Sequence, residues 1–398
     1  MQTTNVRRIF IIAGIASLFV SYLAIWVRFI NDPIERTGSD FMGFYSVGRI
    51  AQNEGVAHVY NPLLQQHIQE EVVGFQLAPG QILLNQHLPF LIPILQAIVN
   101  PDYIYSFYKW ILIMLILYII SIIILSRVLK EAGLDKRSIL VTGFGGFLFY
   151  PLFVSLLNGQ DTAFLVLGTS IWIFGLFSGK ELTAGLGLIL TNVRPHIALL
   201  LALPLFFRYR KVFWGFILGS GILALLSFLI LGVNGTRDFI NILLTTAGGE
   251  WYGLNENAMF NFIGLILRIF PWLGAETIRT IGWVVYGSTI IALCILWSKK
   301  KDLQAGQIGL TVILALFTVP HLHFHDLTLL LIPIYELIRF SPQNERLKTS
   351  IATLLPIAIS LLLLLGNISP LLQYTFPYLI MLALAIYPYY SKHTAPIS

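Results

Sequence analysis

Apolar stretches of about 20 residues recur from one end of this chain to the other, and this repetition limits the fold more than any other feature. A helix rising about 1.5 Å per residue needs that length to match the hydrocarbon core of a bilayer. The runs are continuous and do not alternate, which excludes a β-barrel. Composition agrees: 57% of the 398 residues are hydrophobic, only 11% are charged, and the mean hydropathy is +0.79. No soluble domain needs so much apolar surface. The expectation is an all-α multispanning membrane protein, a single polytopic domain over residues 1–398 with no soluble domain and no internal repeat.

Charge orients the spans. The net charge of +6 comes mostly from Lys and Arg in short loops, which belong on the cytoplasmic side. Arg7 and Arg8 therefore place the N-terminus inside, and residues 9–30 cross outward. That run is longer than a signal-peptide core and has no small-residue cleavage site, so it reads as a retained span. Residues 31–81 form an external polar loop, with amphipathic helices expected on the bilayer surface at 44–58 and 62–73. Full crossings are expected at 103–126, 139–157, 162–178, 212–232, 278–297, 305–319, 327–340, 350–366 and 371–390, about ten in all with the first. Residues 233–258 read as a second external loop, and 260–270 as a short interfacial segment.

Two apolar segments do not fit as crossings. Residues 82–99 are broken by Pro89 and Pro93, and a crossing there would put the basic loop Arg127, Lys130, Lys136 and Arg137 outside. They are read as re-entrant or interfacial on the outer side. Residues 182–207 have Lys180 at one end and Arg208, Arg210 and Lys211 at the other. At about 1.5 Å per residue they are too short to cross twice, so they dip in and return, with Pro195 breaking the helix at the tip.

Chemistry is narrowed by absences and by one concentration of polar groups. Cys294 is the only cysteine, so no disulfide or cysteine-based metal site forms within one chain. No phosphate-binding P-loop, GxGxxG, HExxH or GxSxG occurs, which leaves ATP hydrolysis and dinucleotide chemistry without support. Under the topology above, Asp40, Tyr45, Gln160, Asp161, Glu250, Asn255, Asn257, His321, His323, His325 and Asp326 all fall on the outer side, from several connections. Polar groups converging from loops on a rigid helical scaffold build a site. Asp40 follows the first span and can act as a general base toward a hydroxyl, or cap the helix that starts near Phe41. His321, His323 and His325 at spacing two invite a metal reading. No second cluster supplies more ligands, and a histidine orienting a substrate hydroxyl or phosphate, with Asp326 capping the next helix, is preferred. Arg194, a charge at the tip of an apolar hairpin, can pair with the phosphate of a lipid carrier or with a neighbouring acid.

The chain resembles the family-87 glycosyltransferases, multispanning enzymes of the GT-C type that include the polyprenyl-phosphate-mannose-dependent α-1,2-mannosyltransferases. The resemblance runs over residues 9–340. It is carried by Asp40-Phe-Met-Gly-Phe-Tyr45 with Gly55 and Val59-Tyr60, Pro89-Phe-Leu-Ile-Pro93, Asn158-Gly-Gln160, Ala184-Gly-Leu-Gly-Leu ahead of Arg194-Pro195, Asn255-Glu-Asn257, Pro320-His321 and Asp326-Leu327. It implies a GT-C-type helical bundle that moves a hexose, most simply mannose, from a polyprenyl-phosphate sugar to a hydroxyl of a lipid or glycan acceptor. The implied reaction is inverting and occurs at the outer face of a bacterial cell membrane. It also implies that Asp40 is the base and that His321 takes part in catalysis. Tyr45, Gln160, Arg194, Asn257, His323, His325 and Asp326 are the substrate-binding candidates. No cofactor, metal or nucleic acid is assigned. The competing expectation is a flippase or transporter of a lipid-linked saccharide, which would favour internal repeats and a polar path open to both sides.

Overall fold

The computed structural model describes residues 2–78, 81–247, 256–299, 303, 306–340 and 345–394. Among these there are only helices and turns. The helices are α1 (Gln2–Asn31), α2 (Pro33–Thr37), α3 (Phe41–Asn53), α4 (Pro62–Val73), α5 (Ile92–Ile98), α6 (Tyr103–Glu131), α7 (Lys136–Phe147), α8 (Tyr150–Leu157) and α9 (Thr162–Phe177). They continue with α10 (Glu181–Leu190), α11 (Pro195–Ala202), α12 (Arg210–Ala247), α13 (Phe262–Ile269), α14 (Ala275–Ser298), α15 (Gln307–Thr318), α16 (Leu331–Phe340), α17 (Glu345–Leu365) and α18 (Pro370–Thr394).

Helices α1, α6, α12, α14 and α17 each contain a stretch long and apolar enough to cross a bilayer. The pair α7–α8 is a sixth if counted as one span, but it is bent by 41°. Expected as one straight crossing, it breaks at Leu148–Phe149, because Pro151 lacks the N–H that would continue the ladder. Further apolar helices, among them α9, α15 and the two arms around Arg194, run 10–17 residues. That is less than the roughly 20 residues of a full crossing.

The basic connections gather at one end of the bundle. Arg339 donates to the Val128 carbonyl and lies over the Phe177 ring, and Lys348 donates to the Ala132 carbonyl. At the other end lie the starts of α3, α6 and α9. Phe41 N–H donates to the Asn158 carbonyl there, and Trp110 Nε1 to the Gly159 carbonyl at 2.7 Å. Residues 82–99 stay at this end too, where Gln69 exchanges two hydrogen bonds with the Leu83 backbone.

The dip at 182–207 is a hairpin whose position is set by small residues. A Cβ on Gly168 would lie 2.6 Å from the Gly187 carbonyl oxygen, and one on Gly175 would lie 2.6 Å from Ala184 N. Helices α9 and α10 are therefore in backbone contact along their length, the close packing that small residues allow in membranes. The return arm comes back to the starting level. The first turns of α12 lie against Gly185, Gly219 packs on Ile189, and Asn192 donates to Ser220. Glu181 and Arg210 share the basic end, and Arg194 is carried to the opposite one. Replacing Gly187 by Ala would force a methyl within 2.7–2.8 Å of Gly168 O, Ile171 Cβ and Trp172 N. We expect this substitution to destabilise by about 1–3 kcal/mol, read as a lower melting temperature in detergent. Gly287→Ala, where nothing lies within 4 Å, should change it little.

Two further expectations change. The region 233–258, read as a loop, is helical through Ala247: α12 continues past a break at Gly232 (φ 64°, ψ −171°). A positive φ of this kind is open to glycine at no steric cost. The break turns the last turns of α12 across the polar end of the bundle, so that Phe239 packs on Tyr60. Helix α3, expected as an amphipathic surface helix, is buried on nearly every face. Gly43 and Gly48 let the Leu83 backbone and α5 approach it closely, and no face is left for lipid.

Candidate active site

A cavity of about 620 Å³ lies at the end away from the basic loops. Its lining carries the polar side chains of Asp40, His87, Gln160, Arg194, His196, His321, His323, His325 and Asp326. It also carries apolar ones, among them Phe239 and Leu243 of α12, Ile263 of α13, and Trp283 of α14. Leu199 and Trp283 in the lining are exposed.

Asp40 sits half-buried just ahead of α3 and makes no side-chain cap bond to that helix. Its Oδ2 instead accepts from Gln160 Nε2 at 2.7 Å. Gln160 ends the turn Asn158-Gly-Gln-Asp161. That turn is docked on α3 by the Phe41–Asn158 bond and by Gly159, whose positive φ (66°) and lack of a Cβ let Phe41 sit against it.

Arg194 is deeply buried, and each of its three nitrogens has a protein partner. Nη1 is 2.9 Å from Asp161 Oδ1, Nε is 3.4 Å from Asp326 Oδ1, and Nη2 donates to Gln160 Oε1 at 3.1 Å. His87 Nδ1 lies 2.8 Å from Asp161 Oδ2 and closes the cluster. Burial works to raise the Asp161 carboxyl, but Arg194 and His87 outweigh it and hold the group well below the usual carboxylate range. Of the two partners open to Arg194, the structure supplies neighbouring acids. Asp326, expected as a helix cap, belongs to this ion cluster instead, and Thr162 Oγ1 lies 3.4 Å from it.

The three histidines are brought together where the non-helical stretch after α15 runs into a 3-10 helix at Phe324–Leu330, which carries His325. The His321 and His323 rings meet edge-on at 4.5 Å, and His325 lies 5.9 Å from His323. Burial, reinforced by the neighbouring imidazoles, pushes His321 well below its ordinary value and His323 down to about 4. Both are therefore neutral at pH 7, hydrogen-bonding groups and not cations. His321 Nδ1 is buried and has no hydrogen-bond partner among the described residues. Among the described residues no group of three or more His, Cys, Asp or Glu side chains is placed to hold a metal ion.

Two expected site residues lie elsewhere. Tyr45 points away from the cavity, donating to the Pro101 carbonyl and packing against Tyr103. Asn257 is exposed, and its neighbour Glu256 reaches the lining, 3.4 Å from Arg279. Glu250 and Asn255 lie outside the described residues. His87, Glu256 and Arg279 line the cavity with no role that the sequence suggests, His196 lines it where the sequence suggests a hydrogen-bonded packing residue, and Asp161 stands in the sequence only as one of the outer polar groups. For His87 a signal existed: Asn85-Gln-His87 is a polar run inside a Pro-broken apolar segment.

Fold and site together define a polytopic α-helical membrane protein whose cavity sets a carboxylate and neutral imidazoles against an apolar wall. The chain matches the glycosyltransferase family 87 model over residues 88–320, more than half its length, and belongs to that family. It is a membrane glycosyltransferase. No curated protein and no solved structure matches the chain. The matched residues include Gln160, Asp161 and Arg194, while Asp40 and His321–Asp326 lie outside them.

Proposed function

We propose that the protein transfers a hexose, mannose by resemblance, from a polyprenyl-phosphate sugar to a hydroxyl of a lipid or glycan acceptor. The observation that carries this reading is Asp40, a half-buried carboxylate in the lining of a cavity that also presents large apolar side chains. A lipid-borne donor needs both: apolar wall for the prenyl chain, polar groups for the sugar and phosphate. Asp40 takes the proton of the acceptor hydroxyl as its oxygen attacks the anomeric carbon. The bond from that carbon to the phosphate oxygen breaks, the configuration inverts, and polyprenyl phosphate leaves. His321 and His323, being neutral, donate hydrogen bonds to the phosphate or to sugar hydroxyls. With the basic loops inside, the cavity faces the extracytoplasmic side of a bacterial cell membrane in a GT-C-type arrangement of about ten crossings.

The test is transfer by the purified protein in lipid nanodiscs, offered polyprenyl-phosphate hexoses and nucleotide sugars in parallel. Product should form from the lipid-linked donors. Product from nucleotide sugars alone would overturn the donor class.

A further inference from the structure

We infer that Arg194 is a positioning residue that acts on Asp40 through Gln160. This rests on Asp40 being the general base. A guanidinium only donates hydrogen bonds and an ionised carboxylate only accepts them. The Gln160 amide lies between the two, so only one of its two orientations fits: Oε1 toward Arg194 Nη2 and Nε2 toward Asp40 Oδ2, the arrangement the structure has. Reversing the amide would set its oxygen against the Asp40 carboxylate and its NH₂ against the guanidinium. Arg194 thus pins the oxygen end of the Gln160 amide in the one orientation that turns its NH₂ to Asp40. Gln160 in turn holds one oxygen of Asp40 and leaves Oδ1 for the acceptor hydroxyl.

The relay is anchored at both ends. Arg194 cannot swing away, because Asp161 and Asp326 hold its Nη1 and Nε, and Val193 O accepts from Nη1 as well. Asp161 follows Gln160 in the chain, so one short turn supplies both the clamp on the arginine and the amide that reads it. The same turn is bonded to the first residue of α3 next to Asp40.

The experiment is a double-mutant cycle on turnover with Gln160→Leu, Arg194→Lys and the pair, with melting temperatures measured alongside. Lysine keeps a positive charge between Asp161 and Asp326 but loses the planar fork that reaches Gln160. Each single change should lower kcat roughly 10–100-fold, the order of loss that misplacing a catalytic group brings, with donor KM changed less than about twofold. The pair should fall no further than Gln160→Leu alone, because Arg194 acts through that residue. Losses that multiply in the pair would overturn the inference, as would a kcat for Gln160→Leu within twofold of wild type. If Arg194→Lys does not fold, the cycle is run with Gln160→Leu and Asp40→Asn, where the pair should match Asp40→Asn. Full turnover by Asp40→Asn alone would refute the general-base reading, a result distinct from failure of the relay.

Discussion

Asp40→Asn is expected to lower sugar transfer by roughly 10²–10⁴-fold, the contribution of a positioned general base, while donor binding stays near wild type. The substitution is nearly isosteric. The asparagine oxygen can still accept from Gln160 Nε2, so the hydrogen bond that holds the side chain survives. What disappears is the lone pair that takes a proton from the acceptor hydroxyl. The competing role separates cleanly, because Asn caps a helix as well as Asp does. An Asp40 that only capped α3 would leave turnover intact in the variant. The structure already weighs against that role, since the Asp40 side chain makes no cap bond. The measurement is single-turnover transfer beside an equilibrium titration of the lipid donor. Lost binding with unchanged turnover of the bound fraction would move Asp40 from base to ligand.

Much of this arrangement could be read from the residues. Pro195 between two apolar arms flanked by cations is enough to argue a hairpin, and the structure carries Arg194 to its tip. The glycines that fix the hairpin stand in the sequence too, Gly168, Gly175 and Gly187 for the contact with α9 and Gly185 for that with α12. The partners of Arg194 were not legible. Asp161, His87 and Asp326 come from three separate connections, and only their packing places all three around one guanidinium. The fate of Tyr45 shows the same limit. Position 45 sits one turn beyond Asp40, but in a helix buried on nearly all sides either neighbour can take the ring, and here Tyr103 does. The helical continuation past Gly232 was missed because glycine ahead of polar residues signals a helix end as readily as a break.

Arg194→Met should unfold or nearly unfold the protein, and the reason lies in charge burial. Asp161 and Asp326 are buried as ionised groups because the guanidinium sits between them. Removing one partner of a buried ion pair costs about 3–5 kcal/mol, since the remaining charge is left uncompensated. Here two carboxylates lose their shared cation, and only the His87 and His325 imidazoles beside them could offset the charge. Expression in the membrane fraction and melting temperature should both fall sharply. The same physics supplies a rescue: replacing a whole buried ion cluster by neutral groups of similar shape is often tolerated. Adding Asp161→Asn and Asp326→Asn to Arg194→Met should therefore restore most of the melting temperature. Transfer should not return, because the guanidinium that donates to Gln160 Oε1, and through it positions Asp40, is gone. A triple variant as unstable as Arg194→Met would mean that the arginine stabilises the hairpin tip by packing. A triple variant that recovers activity along with stability would mean that the cluster serves the scaffold alone.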